Sequence, residues 1–554
     1  MVFYMSKAQQ LKKIAAAIGE GEYDGSFGVL YPGRGMNECR ERYINLINLF
    51  VECYTTNEDG GEDCDKVEGA GVCGLQTAKT TIENTTADTG ANSSQTEIWP
   101  NGDDAADTGA KTSQIELWPN GDGNNALSRV VLISAPGRAE VCGNHTDHQH
   151  GNVLAAAIDQ DIICIAATNG SDTIRVRSVG HSGMITVNMD NMEAVAEERG
   201  ADTGLIRGIA AWFKAHGADL GGFDAYTASN VPIGSGLSSS AAFEVVIGTA
   251  INTLFKTNFS PLDIAIAGQF AENNYFGKPC GLMDQTASSV GGFVRIDFAD
   301  PKNPVVEPIQ YDPAANGLRL CVVNTKGNHA NLIGEYASIP GEMRAVASFF
   351  DKEFLRDVGA DEFYDNIAKI RQKLHTQAQP ENVAGGGSEG SGGPEGAGGL
   401  TGADNQTGTT EANDNVNGYA MSPDRAILRA IHFFSENQLV SETAAAIRSA
   451  DSKKFLECIN RSGQSSFCYL QNIYAPSHPG DQGLSLALAL SESILRGKGG
   501  AWRVHGGGFA GTIMAFVPNE LYDGYINALG SVFGMDSCIT LSIRKFGGVE
   551  VTPG

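Results

Sequence analysis

The spacing of apolar residues changes character several times along this chain. Near the amino terminus, "KAQQLKKIAAAIGEG" (7–21) and "NECRERYINLINLFVECY" (37–54) set apolar residues three and four apart. That is the period of an amphipathic helix, so this part is expected to form a helical lead-in over 1–52. From about residue 130 the pattern turns into short continuous apolar runs, "RVVLISA", "IICIAAT", "GFVRIDF" and "LRLCVVNT". These predict buried strands. Between them, "SAAFEVVIGTAINTLF" and "PLDIAIAGQFAENNYFG" predict helices. The fold class is therefore mixed, α+β, although periodicity does not order the strands.

Two stretches have no apolar period. Residues 53–125 are rich in Thr, Asn, Gly, Asp and Glu, which bury too little surface to offset chain entropy, so an acidic, disordered insert is expected there. Inside it "ADTGANSSQTEIWPNGDD" (87–104) recurs as "ADTGAKTSQIELWPNGDG" (106–123), including Trp99 and Trp118. Two copies fall short of the roughly three stacked units a solenoid needs. The copy therefore reads as a duplication inside a tolerant insert, with a peptide-recognition role as the alternative. A second insert, 376–415, contains "AGGGSEGSGGPEGAGGLTGADNQTG" and reads as a flexible Gly-rich linker. Without the inserts roughly 440 residues remain, the size of a two-lobed enzyme, divided here into a domain over 126–317 and another over 318–554.

Composition narrows the partners. With 554 residues, 42% of them hydrophobic, the chain can bury a large core. The formal net charge of −26 argues against non-specific binding to nucleic acid or an anionic membrane, which needs excess Lys and Arg on one face. Small molecules are the expected partners. The eleven cysteines form no CxxC pair, and neither a membrane-length apolar run nor a signal peptide is evident. A reduced cytoplasmic protein is the expectation, with Cys142 and Cys280 as packing residues rather than nucleophiles.

Candidate chemistry lies in four stretches. "GNHTDHQHG" (143–151) crowds His145, Asp147, His148 and His150 together, which reads either as a zinc or iron site or as a polar loop. "NVPIGSGLSSSAAFEVV" (230–246) puts Gly234, Ser235, Gly236, Leu237, Ser238, Ser239 and Ser240 before an apolar helix. Glycines allow close backbone approach, and the free N–H groups of a helix start favour an anion, so this is a candidate phosphate cradle, with an ordinary turn as the alternative. It lacks both the Gly-Lys-Ser/Thr ending of the P-loop and the third glycine of the dinucleotide fingerprint. "RVHGGGFAGTIMAFV" (503–517) offers Gly506, Gly507 and Gly508 for close packing against a loop or ligand, or for a tight link between strands. In "AENNYFGKPCGLMDQTASSVGG" (271–292), Glu272 and Asp284 stand twelve positions apart. They could serve as a magnesium ligand and a general base, or be unrelated surface carboxylates.

Taken in order, "SAPGRAEVCGNHTDHQHG", "PIGSGLSSSAA", "CGLMDQTAS" and "GGGFAG" resemble the GHMP superfamily of small-molecule kinases and, within it, the galactokinase family. The likeness spans about Val130 to Gly554 apart from the second insert. It implies a two-lobed fold with the active site in the cleft, and ATP-dependent phosphorylation of galactose at its anomeric hydroxyl with Mg2+. By motif position, Arg138 matches the arginine that stabilises the transferring phosphate, and Asp284 the aspartate that takes the anomeric proton. Ser240, or its neighbour Ser239, and Glu272 match the magnesium ligands, and Gly234 to Ser239 the phosphate loop. Asn144, His145, Asp147, Gly281 and Tyr336 fall at sugar-facing positions, with Gly506 to Gly508 as a supporting loop. On this reading His145 and Asp147 read hydroxyl orientation, and His148 and His150 are supporting or loop residues. A monomer is the favoured oligomeric state.

The chain departs from the family at two positions. Asn144 stands where the family pattern has Glu facing the sixth carbon of the sugar. An amide tolerates a carboxylate there that Glu would repel, so galacturonate joins galactose, with N-acetylgalactosamine as a further alternative. Glu140 stands where Asn is usual, a milder change if its side chain faces away. A non-catalytic sensor of galactose and ATP is the alternative of another class, against which the intact "GLSSSAA" loop, Arg138 and Asp284 argue.

Overall fold

A computed structural model describes residues 7–54, 129–232, 234–278, 280–327, 332–378 and 421–554. The duplicated repeat with Trp99 and Trp118, and nearly all of both predicted inserts, lie outside the described residues. The amino-terminal pattern forms α1 (Lys7–Glu20), α2 (Asp24–Leu30) and α3 (Met36–Tyr54). Then follow β1 (Val130–Cys142), β2 (Asn152–Thr168), β3 (Thr173–Ser178), β4 (Ile185–Asn188), α4 (Asp202–Ala215) and β5 (Phe223–Ser229). Next come α5 (Ser239–Phe255), α6 (Pro261–Ala271), a π turn (Glu272–Phe276), α7 (Met283–Val290), β6 (Phe293–Asp297) and β7 (Val305–Ile309).

The second half contributes β8 (Leu318–Asn324), α8 (Ile333–Ala347), α9 (Ala360–Gln377), α10 (Pro423–Arg448), α11 (Ser452–Ser465) and α12 (Gly483–Leu495). It closes with β9 (Ala501–His505), β10 (Thr512–Pro518), α13 (Tyr522–Phe533), β11 (Cys538–Leu541) and β12 (Val549–Glu550). Two sheets organise these elements. The larger runs β12-β1-β2-β5-β3-β4, with β6 also pairing β2 and β7 pairing β6. The smaller runs β11-β8-β10-β9.

The continuous apolar runs have a direct cause. Successive strand residues point to opposite faces, and the larger sheet is covered on both. Val131, Ile133 and Ala135 of β1 pack into the main core with Val245 and Val246 of α5. Val130 and Leu132 meet the amino-terminal helices through Leu11, Phe27, Tyr43 and Phe50. The lead-in is thus an integral layer, and α3 carries it through the buried Cys53.

β1 runs well beyond the apolar stretch that predicted it. It continues through Pro136 and Gly137, and its register with β2 shifts between Pro136 and Arg138 and again between Glu140 and Cys142. Such irregularities re-aim side chains. Here they fall around Arg138 and Glu140. A Cβ on Gly137 would come within 2.6 Å of the Leu237 carbonyl, so glycine lets the strand touch the phosphate loop. The Arg138 N–H donates to that same carbonyl at 3.1 Å.

Candidate active site

The candidate phosphate loop ends on α5, whose first turn has no intrahelical partners for its leading N–H groups. Ser239 opens that helix, and Gly234, Gly236 and Ser240 are exposed. Leu237 instead points into the core, and the Ser235 hydroxyl donates to the Pro232 carbonyl at 2.6 Å. Exposed amides at a helix start carry partial positive charge, which suits a phosphate. Ser238, in the left-handed region at φ 58°, turns its hydroxyl onto an Asp284 oxygen.

Asp284 sits at the start of α7. Arg138 reaches it with Nε to Oδ1 and Nη2 to Oδ2, both at 2.8 Å, and donates Nη1 to the Gly236 carbonyl. A planar guanidinium matched to both carboxylate oxygens gives a strong and directional pair. Burial alone would push the Asp284 carboxyl up, but Arg138 and Ser238 hold it below the ordinary range. It is ionised at neutral pH. Its side chain is 32% exposed, against 8% for Arg138, so the pair opens to solvent on the aspartate side.

Three residues expected to face a sugar, Asn144, His145 and Tyr336, converge on the glycine run between β9 and β10, each on a successive carbonyl. Asn144 Nδ2 donates to the Gly506 carbonyl at 2.8 Å, and His145 Nε2 meets the Gly507 carbonyl at 2.9 Å. The Tyr336 hydroxyl donates to the Gly508 carbonyl at 3.0 Å. His145 gives its Nε2 proton to a carbonyl, so in the neutral ring Nδ1 is an acceptor. Gly281 lies flat against Asp147, whose Oδ2 occupies the space a Cβ would need. Burial pushes the Asp147 carboxyl up, with His145 opposing.

The crowded histidines do not form a metal cage. Among the described residues no three His, Cys, Asp or Glu are arranged to hold an ion. His150 stacks on Phe354 at 3.8 Å, and His148 lies beside His145 with neither ring nitrogen hydrogen-bonded. For magnesium the relevant donors are the exposed Ser240 hydroxyl and Glu272, whose carboxylate accepts from Gln285 at 3.0 Å and pairs with Lys278 at 3.3 Å. One carboxylate and one hydroxyl are oxygen donors of the kind magnesium takes alongside phosphates, so the set fits that ion.

Several residues of the site escaped sequence reading. Glu140 does not face away. It is buried, accepts from Asn144 Nδ2 at 2.7 Å and pairs with the fully buried Arg503 at 3.3 Å. His505 accepts the Glu140 N–H on Nε2 at 3.2 Å and meets the Thr512 hydroxyl through Nδ1 at 3.1 Å. Thr512 in turn donates to the Ser235 carbonyl, so His505 is the donor to Thr512 and its neutral Nδ1–H tautomer is fixed. Burial lowers it to about 3. This chain of bonds ties the smaller sheet to both β1 and the phosphate loop. The only sequence signal for it was the position of His505 directly before the glycines.

Two family models match the chain: "GHMP kinases N terminal domain" over 204–292 and "Galactokinase galactose-binding signature" over 124–168. The fold is similar to that of the galactokinase of Lactococcus lactis, solved with galactose, at TM-score 0.55 and 20% identity over 76% of this chain and 95% of that one. A mevalonate kinase of Methanococcus jannaschii aligns at TM-score 0.47 and 12% identity over 75% of this chain and 98% of that one. Residues 204–292 are thus similar to the GHMP kinase N-terminal domain, and the fold is similar to that of a solved galactokinase. The galactokinase galactose-binding signature falls on β1, the turn after it and β2.

Proposed function

We propose that the protein transfers the γ-phosphoryl group of ATP to the anomeric hydroxyl of galactose, giving galactose 1-phosphate. The observation that carries this reading is the bidentate Arg138–Asp284 pair set against the glycine loop at the start of α5. Asp284, ionised and open to the cleft, accepts the proton of the anomeric hydroxyl. A weak base suffices, because phosphoryl transfer passes through a loose transition state in which little proton removal is required early. Arg138 then carries positive charge beside the transferring group, and the free N–H groups of α5 hold the phosphates.

Ser240 and Glu272 would hold Mg2+, which supplies charge neutralisation across the phosphates when bound. His145 Nδ1 and Asp147 accept hydrogen bonds from sugar hydroxyls, while the glycine carbonyls keep His145 and Tyr336 in place. Gly281 leaves Asp147 the room to do so.

The test is ATP consumption by the purified protein with magnesium across galactose, galacturonate, N-acetylgalactosamine, glucose and no sugar. Galactose-dependent turnover is expected. Turnover with another of these sugars alone would move the activity to that substrate, and binding without turnover would make the protein a sensor.

A further inference from the structure

Asp284 and Gln285 are consecutive in the first turn of α7 but meet different neighbours. Asp284 turns to Arg138 and to Ser238 of the glycine loop, whereas the Gln285 amide is buried behind it. Its Nε2 donates to Glu244 Oε2 at 2.9 Å and to Glu272 Oε2 at 3.0 Å. Glu272 as a carboxylate only accepts, so the amide nitrogen and not its oxygen lies on that side. One buried amide therefore joins α5, the π turn and α7. Gln285 is 1% exposed and Glu244 not at all, and the packing is close: a Cβ on Gly268 of α6 would come within 2.9 Å of Glu244 Oε2. The other Glu272 oxygen, Oε1, is turned the opposite way. There the ammonium of Lys278, with its side chain 66% exposed, stands 3.3 Å away, so this oxygen already faces a cation.

We propose that Gln285 is a positioning residue: its amide fixes the Glu272 carboxylate with Oε1 turned outward to receive a metal cation, and ties that carboxylate to the helix carrying Asp284. This inference rests on the reading of Glu272 as a magnesium ligand and Asp284 as the base. Magnesium demands near-ideal octahedral geometry, so a carboxylate free to rotate binds it less well than one held in place. Partners that orient a metal ligand are typically worth about tenfold to a hundredfold in affinity or activity. Glu244 is the fixed end of the bridge, because the next residues of its helix, Val245 and Val246, lie in the main core. Metal ligand, base and glycine loop are thereby held in one register.

The test follows Mn2+, which takes the same oxygen ligands, binding to the full chain with ADP by electron paramagnetic resonance. It is run alongside kcat and KM for galactose and thermal unfolding midpoints. Gln285→Met keeps the side-chain length and removes both N–H groups. It should weaken Mn2+ binding about tenfold and lower kcat about tenfold or more, with KM for galactose within about threefold. Glu244→Gln retains an acceptor for the amide and should stay within about threefold of the unaltered protein on every readout. Combining Gln285→Met with Glu272→Gln should weaken Mn2+ no further than Glu272→Gln alone, because the amide acts through that carboxylate. A merely structural role would lower the unfolding midpoint and leave Mn2+ affinity and kcat per folded molecule unmoved.

A folded Gln285→Met protein with unchanged Mn2+ affinity overturns the proposal, as does additive weakening in the double variant. If Gln285→Met does not fold, Glu244→Met removes one acceptor of the same bridge. It should weaken Mn2+ binding by at least about threefold, and unchanged affinity there overturns the proposal equally. Glu272→Gln alone tests the underlying reading: if it leaves Mn2+ affinity unchanged, Glu272 is not the ligand and the proposal falls with it. Absence of galactose turnover with Mn2+ binding intact would instead remove the galactokinase reading. The Mn2+ measurements would then still decide the role of Gln285.

Discussion

Asp161 and Asp284 are built from the same chemistry and put to different ends. Each is an aspartate paired with arginine and hydrogen-bonded by a serine, and in each burial is outweighed so that the carboxyl stays below its ordinary range. Asp161, on β2, is sealed: Arg42 of α3 and Arg544 close on it, Tyr31 donates at 2.6 Å, and both Asp161 and Arg544 have no side-chain exposure. It bolts the amino-terminal helices and the carboxy-terminal segment to the larger sheet. Asp284 has one arginine, a serine from a glycine loop, and an open side. Ion pairing and a lowered pKa do not by themselves mark catalysis. What separates the two is solvent access and the glycine-serine loop beside Asp284 at the start of α5.

Exchanging the carboxylates for amides should pull this contrast apart. Asp284→Asn is expected to lower kcat by roughly 10²–10⁴-fold, the usual worth of a positioned general base, with a small change in unfolding midpoint. Near-normal turnover would strip Asp284 of its role. Arg138→Met should cost about 10²-fold or more in kcat by removing charge stabilisation, and unchanged single-turnover rates would refute it. Asp161→Asn leaves the buried Arg544 and the half-buried Arg42 short of a partner. It should cost about 3–5 kcal/mol in denaturant unfolding while kcat per folded molecule stays unchanged. Loss of kcat without loss of stability would invert the comparison.

The smallest effect concerns pH. His505 is neutral in the folded protein down to about 3, whereas an unfolded histidine takes up a proton near 6.5. Its contribution is fully present above about 6.5 and is lost as pH falls toward 3, at about 1.4 kcal/mol per pH unit. The buried His432 and the half-buried His148 are lowered too and act in the same sense. Stability curves of His505→Asn against the unaltered protein should therefore show a shallower acid slope in the variant. Parallel curves would show that His505 does not titrate as its burial requires.

Much of the chain was legible beforehand. The helices at 7–20 and 36–54, the strand cores at 130–135 and 162–168, and α5 follow from apolar spacing, because that spacing reflects the local geometry of helix and strand. The glycine-serine loop was legible for a similar reason: a turn and the helix start it leads into are built from consecutive residues. Glu140 was misjudged because its direction depends on a register shift with β2, which strand periodicity does not encode. His505 gave almost no signal, since its partner Glu140 lies 365 positions away and its other partner, Thr512, reaches Ser235 across 277.

The sequence by itself determined the elements, the order of the four motifs and the class of chemistry, each of which depends on residues adjacent in the chain. Tertiary structure alone decided the pairings. Arg138 meets Asp284 across 146 positions and Glu140 meets Arg503 across 363. Hydrogen bonds and ion pairs act over a few ångströms of space, and only the folded sheets set which distant side chains come that close.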